Sequence, residues 1–234
     1  MSLLKLKRLK RLKMTIDELG EITDTRPVPI EIIQQYESIL SPTLIEIWKE
    51  HGFCQFAHGA YQFVNPTEWQ PVVDAWLAGT EYEQQLGGHF YALSRNACNE
   101  LYIFHLETKS KLTIDPILGR ITGSINDGDD EYDTAISRFT IALDQEDIDF
   151  FDFKNKPLLK RSIKKCGGLG WDEMYNFEPA YALIGDAALD IKYVNKANAL
   201  VQMMVLRQMI DVPKSIIFNM DWVKEAARQP IQDE

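Results

Sequence analysis

The chain has 234 residues, 45% of them hydrophobic, with 25 basic and 35 acidic side chains and a formal charge of −10. That length and apolar content can bury a full core, and no apolar run approaches the roughly 18 residues of a spanning helix. The excess of acid repels phosphates, which argues against nucleic acid as a ligand and for a cationic partner.

The first thirteen residues, MSLLKLKRLKRLK, carry six bases and no acid. Leu and Lys/Arg are interleaved, so the segment lacks the continuous apolar stretch of a signal peptide. It reads as a basic, disordered leader over 1–13, with Met14 as an ordinary beginning. Without it, 19 basic residues face 35 acidic ones, a balance of about −16. Ser41-Pro42 then supplies a cap and a first-turn proline for a helix that Gly52 ends. Asn65-Pro66-Thr67-Glu68 repeats the device, and Trp69, Val72, Val73, Trp76 and Leu77 recur at helical spacing up to Gly79.

Short extended runs follow at 61–64, 89–93, 99–107, 111–115 and 121–125, rich in aromatic and β-branched residues. The run at 99–107 is apolar on both faces and reads as a central strand. Connections this short make the sheet mainly antiparallel. The resulting fold class is α+β: a mainly antiparallel sheet flanked by helices over 14–153, then a smaller, mostly helical unit over 154–234.

Between 126 and 152 the chain holds ten acids and one base, Arg138. Asp127, Asp129, Asp130, Glu131, Asp133, Asp144, Glu146, Asp147 and Asp149 form the candidate docking face for a basic partner, where complementary charge speeds encounter. The segment 127–133 departs from a calcium loop, with Tyr132 where a turn glycine belongs and Arg138 where a bidentate Glu belongs. The balance then reverses with Lys154, Lys156, Lys160, Arg161, Lys164 and Lys165 around a short helix opened by Pro157 and stopped by Gly167-Gly168. Further on, 196–211 reads as a helix apolar on most sides, and 215–228 as a last one.

Candidate chemistry is sparse. His51, Cys54 and His58 have metal-like spacing but no second ligand pair, and no phosphate loop or nucleophile elbow is present. No metal or cofactor is expected. Three dispersed cysteines, Cys54, Cys98 and Cys166, do not build a disulfide framework, which points to a reducing cytoplasm. The segment GLGWDEMYNFEP (168–179) gathers Trp171, Asp172, Glu173, Tyr175, Phe177 and Glu178. Adjacent Asp172 and Glu173 project in different directions. Glycines that permit a tight path and aromatics that anchor it favour a structural corner, or an interface, over a catalyst.

LIEIWKEHGF (44–53) with YQFVNPTEWQPVVDAWL (61–77) resembles the GAD-like domain. GLGWDEMYNFEPAYALIG, followed by the helix after Lys196, is similar to the C-terminal domain of immunity proteins against type VI secretion DNase effectors; AYALIGDAALD keeps only Gly185 of that family's glycine-rich stretch. The resemblance implies a cytoplasmic antitoxin that binds a cognate nuclease and blocks it without catalysis of its own; with the acidic balance and the lack of a spanning run, neither direct nucleic acid nor membrane is expected as a partner. Two other readings stand beside it: a general protein-binding module similar in role to the SUKH proteins, and a hydrolase using Asp172, Glu173 or Glu178.

Overall fold

A computed structural model describes residues 12–125 and 145–218. A helix over 12–19 (α1) begins inside the basic leader, with Leu12 and Leu19 buried. Then follow β1 (Ile22–Arg26), α2 (Ile30–Tyr36), α3 (Pro42–His51), β2 (Phe53–Phe56), β3 (Tyr61–Phe63), α4 (Pro66–Leu77), α5 (Glu81–Leu86) and β4 (Phe90–Asn96). β5 (Leu101–His105), β6 (Lys111–Asp115) and β7 (Arg120–Ser124) complete the first half. Beyond lie α6 (Gln145–Ile148), α7 (Leu159–Cys166), β8 (Glu173–Phe177), α8 (Tyr181–Ile184), β9 (Val194–Asn198), α9 (Ala199–Gln208) and β10 (Lys214–Phe218).

Eight strands form one sheet in the order β1-β2-β3-β4-β5-β6-β7-β10, while β8 and β9 make a separate antiparallel pair. Chain order and spatial order coincide from β1 to β7, with α2 and α3 inserted between β1 and β2 and α4 and α5 between β3 and β4. Among the described residues only β10, which returns from the C-terminal region, pairs in parallel, with β7. All five residues of β5 are buried, as an interior strand that is apolar on both faces must be.

The helix boundaries follow their caps. Ser41 Oγ accepts the Leu44 N–H at 3.2 Å, and Asn65 Oδ1 accepts that of Thr67 at 3.1 Å. Gly52 stops α3 at φ 75°, and an added Cβ there would stand 2.3 Å from the Arg26 carbonyl oxygen. α4 lies against β4, and α9 lies against α4. Trp76 donates its indole N–H to the Met203 carbonyl at 3.2 Å, and Arg207 Nε donates to that of Ala75 at 2.8 Å.

Two expectations change. The helix expected over 196–211 starts at Ala199, because Asn198 caps it by accepting the Val201 N–H at 3.1 Å. Lys196 belongs instead to β9. The helix expected over 215–228 gives way to β10, whose Ser-Ile-Ile-Phe run satisfies its backbone against β7; positions 219–228 lie outside the described residues.

Candidate functional site

The acidic cleft begins with strand register. Antiparallel pairing sets Leu101 of β5 opposite Ile114 of β6, so Glu100 and Asp115 come side by side at one end of the sheet. The segment that starts with α6 then passes over that end, bringing Glu146, Asp147 and Asp149. The result is a cleft of about 440 Å³. Its lining includes those five acids and Asp152, one basic side chain, Arg120, and the rings of Phe150, Phe151 and Phe177. Phe177 is buried, whereas Phe151 is exposed.

Desolvation and mutual repulsion set the electrostatics. Burial first, then the charge of Asp115, pushes the Glu100 carboxyl up to about 7. Burial raises Asp115 as well, against the opposing effects of the Leu118 N–H and Arg120. Arg120 Nε lies 3.0 Å from Asp115 Oδ2, and Asn96 Nδ2 donates to Glu100 Oε2 at 2.7 Å. At neutral pH the Glu100–Asp115 pair therefore carries less than two charges, and a positive group entering the cleft would draw off its proton.

The predicted acids have separate roles. Asp127, Asp129, Asp130, Glu131, Asp133 and Asp144 lie outside the described residues. Glu146 and Asp147 are exposed on the cleft wall. Asp149 is partly committed to architecture: its Oδ1 accepts the N–H groups of Phe150, Leu158 and Leu159 and so caps the start of α7. Asp152 is committed too, accepting from the N–H groups of Lys154 and Lys156 and from Arg161 at 2.7 Å. Arg161 above all holds Asp152 below its usual range.

The GLGWDEMYNFEP segment is a corner closed onto the first half of the chain. Gly59 sits at φ 82°, and a Cβ there would stand 2.3 Å from the Leu169 carbonyl oxygen. Leu169 N–H donates to the His58 carbonyl, and Tyr175 N–H to that of Ala97. Tyr175 and Phe177 are buried, and the Tyr175 hydroxyl donates to the Gly167 carbonyl at 2.7 Å. Arg95 joins the halves from within: it is fully buried and donates to the carbonyls of Trp171 at 2.7 Å and Glu173 at 3.0 Å, and to Asn99 Oδ1.

The two adjacent carboxylates diverge. Asp172 is exposed and lies 3.6 Å from Arg26. Glu173 accepts from the Gly170 N–H at 2.8 Å and from Lys196 Nζ at 2.9 Å, and these two bonds lower its pKa. An acid stabilised as its anion is a poor proton donor at neutral pH. Glu178 is exposed, and its backbone N–H donates to the Tyr193 carbonyl.

Cys54 is buried, its thiol pushed up to about 12 by burial. His51 ends α3, and His58 occupies a left-handed turn at φ 57°. Among the described residues no group of three or more His, Cys, Asp or Glu side chains is placed to hold a metal ion, and no helix is long and apolar enough to cross a membrane.

Fold and cleft together define an α+β protein whose first half is an antiparallel meander. The family model of the GAD-like domain matches residues 10–118, the stretch that carries α1 to β6. A solved structure, that of Atu4351 from Agrobacterium tumefaciens, is similar with a TM-score of 0.74 at 21% identity. The match covers 84% of this chain and 88% of that one; at this identity the likeness is one of fold. No curated protein matches the sequence.

Proposed function

We propose that the protein is an immunity protein that binds and neutralises a cognate toxin, a type VI secretion DNase effector, in the cytoplasm and without catalysis of its own. The observation that carries the reading is the cleft in which Glu100, Asp115, Glu146, Asp147 and Asp149 meet over an aromatic floor. A nuclease must expose a basic surface to hold DNA, and a carboxylate-lined surface competes for it in place of phosphates. The cleft is also shaped for an anchor: Lys or Arg would lay its methylene stem on Phe150 and Phe177 and set its head among the acids. The resemblance of the C-terminal half to DNase immunity proteins supplies the class of partner.

Glu146 and Asp147 are exposed, so reversing both to Lys leaves the core intact. Stopped-flow association with the toxin at low salt is expected to slow by about tenfold or more and to lose part of its salt dependence. Association unchanged in rate and in salt dependence would remove this cleft from the interface. Reversing Asp129 and Asp130 is the companion experiment for the preceding acidic stretch.

A further inference from the structure

A second cleft, of about 140 Å³, lies where the corner meets the sheet and the first turn of α4. Arg95 is at its base and Arg26 at its mouth, with Trp69 and Trp171 as walls. The Arg95 guanidinium is 5.5 Å from the centre of the Trp69 ring, and that of Arg26 is 4.9 Å from Trp171. Arg95 is completely buried, yet the groups it donates to are the neutral oxygens of Trp171, Glu173 and Asn99. With its amide turned to accept, Gln62 adds a fourth neutral oxygen 3.1 Å from Arg95 Nε.

A buried cation held by neutral acceptors is costly, and an anion brought alongside it relieves that cost. Burial lowers the Arg95 pKa to about 9, and the one charge that opposes this is Asp172. Asp172 lines the same cleft as a loosely held internal carboxylate, 68% exposed and 3.6 Å from Arg26. An ion pair that open contributes little, so its carboxylate is displaceable. The Asp172 backbone stays fixed meanwhile, because its carbonyl accepts the Ala199 N–H at 2.8 Å.

We propose that this cleft is a binding site for a small carboxylate, held between Arg26 and Arg95 in the place that Asp172 now serves. The exposed Arg26 guanidinium supplies paired donors to a planar acceptor, Arg95 beneath supplies its charge and the one N–H its own acceptors leave over, and the indole rings supply apolar walls for a short stem. Glu68 also lines the cleft, in the exposed first turn of α4. Its charge favours a singly charged ligand over a dianion such as phosphate. The site is independent of the acidic cleft and of any toxin.

The test is a titration of the full-length protein with acetate, followed through the tryptophan indole N–H signals in ¹H–¹⁵N spectra, with sodium chloride at matched ionic strength as control. The indole signals of Trp69 and Trp171 are expected to shift saturably with acetate, those of Trp48 and Trp76 to stay in place, and phosphate to bind more weakly. Arg26→Gln, on an exposed edge strand, is expected to weaken acetate about tenfold. Asp172→Asn is expected to strengthen it several-fold, a gain that a merely structural Asp172 would not produce. N-acetyl-aspartate amide, as a second ligand, identifies the source: tighter binding than acetate points to an acidic side chain of a protein, and equal or weaker binding to a free acid. A shift that chloride reproduces, a preference for phosphate, or an affinity that neither variant alters would overturn the proposal.

Discussion

The two clefts are electrostatic opposites, and their difference separates architecture from availability. At the Arg95 cleft one buried cation is surrounded by oxygens of the chain itself, and those bonds join the corner to the sheet. At the acidic cleft buried carboxylates meet others of their own sign, with Arg120 the one basic side chain in the lining. Burial shifts both toward neutrality: Arg95 down to about 9, Glu100 up to about 7. Removing Arg95 therefore dismantles a joint, whereas neutralising Glu100 in the other cleft relieves a strain.

The contrast can be broken most severely at Arg95. Arg95→Met strands the Trp171 and Glu173 carbonyls, and urea unfolding is expected to show a loss of about 3–5 kcal/mol. Gly59→Ala strikes the same joint from the other side; with its Cβ against the Leu169 oxygen and its backbone at positive φ, about 2–3 kcal/mol is expected to be lost in the same measurement.

Glu100→Gln sharpens the comparison because its sign is opposite. The folded-state pKa of Glu100 lies above its unfolded value, so above about 7 both states are ionised and the folded state bears the whole cost. Stability from this group rises as pH falls from about 7 to about 4.5 and is level below that. Gln is therefore expected to stabilise by on the order of 1–3 kcal/mol at pH 8 and by almost nothing at pH 4, read from denaturant midpoints. Equal effects at both pH values would show that Glu100 is not desolvated. The smallest effect is expected from Arg26→Gln, under about 1 kcal/mol in urea, because its partner Asp172 is largely exposed.

Much of the frame was legible in the sequence because its signals are local. Ser41-Pro42 and Asn65-Pro66 mark helix starts through bonds that span two or three residues, and the doubly apolar 101–105 run marks an interior strand. The glycine and aromatic pattern at 168–179 pointed to a corner for the same reason. The sites depend on distance in sequence instead. Arg95 meets the corner carbonyls across 76 and 78 residues, and nothing in ALSRNAC signals a buried guanidinium. Glu100 and Asp115 meet only through the β5–β6 register, although once both strands are granted, antiparallel pairing of 101 with 114 brings them together. The strand at 214–218 is not legible locally because a run of three apolar residues, Ile216 to Phe218, suits either periodicity, and its partner β7 lies far back in the chain.

The most direct test of the central claim is a titration of the purified protein into its candidate toxin, the product of a neighbouring effector gene, with binding and DNA cleavage followed together. The account predicts saturable binding with parallel loss of cleavage, and a weaker complex when Glu146 and Asp147 are both replaced by Lys. Tight binding that the double replacement leaves untouched would move the interface away from the acidic cleft, and full nuclease activity at saturating protein would contradict the immunity role itself.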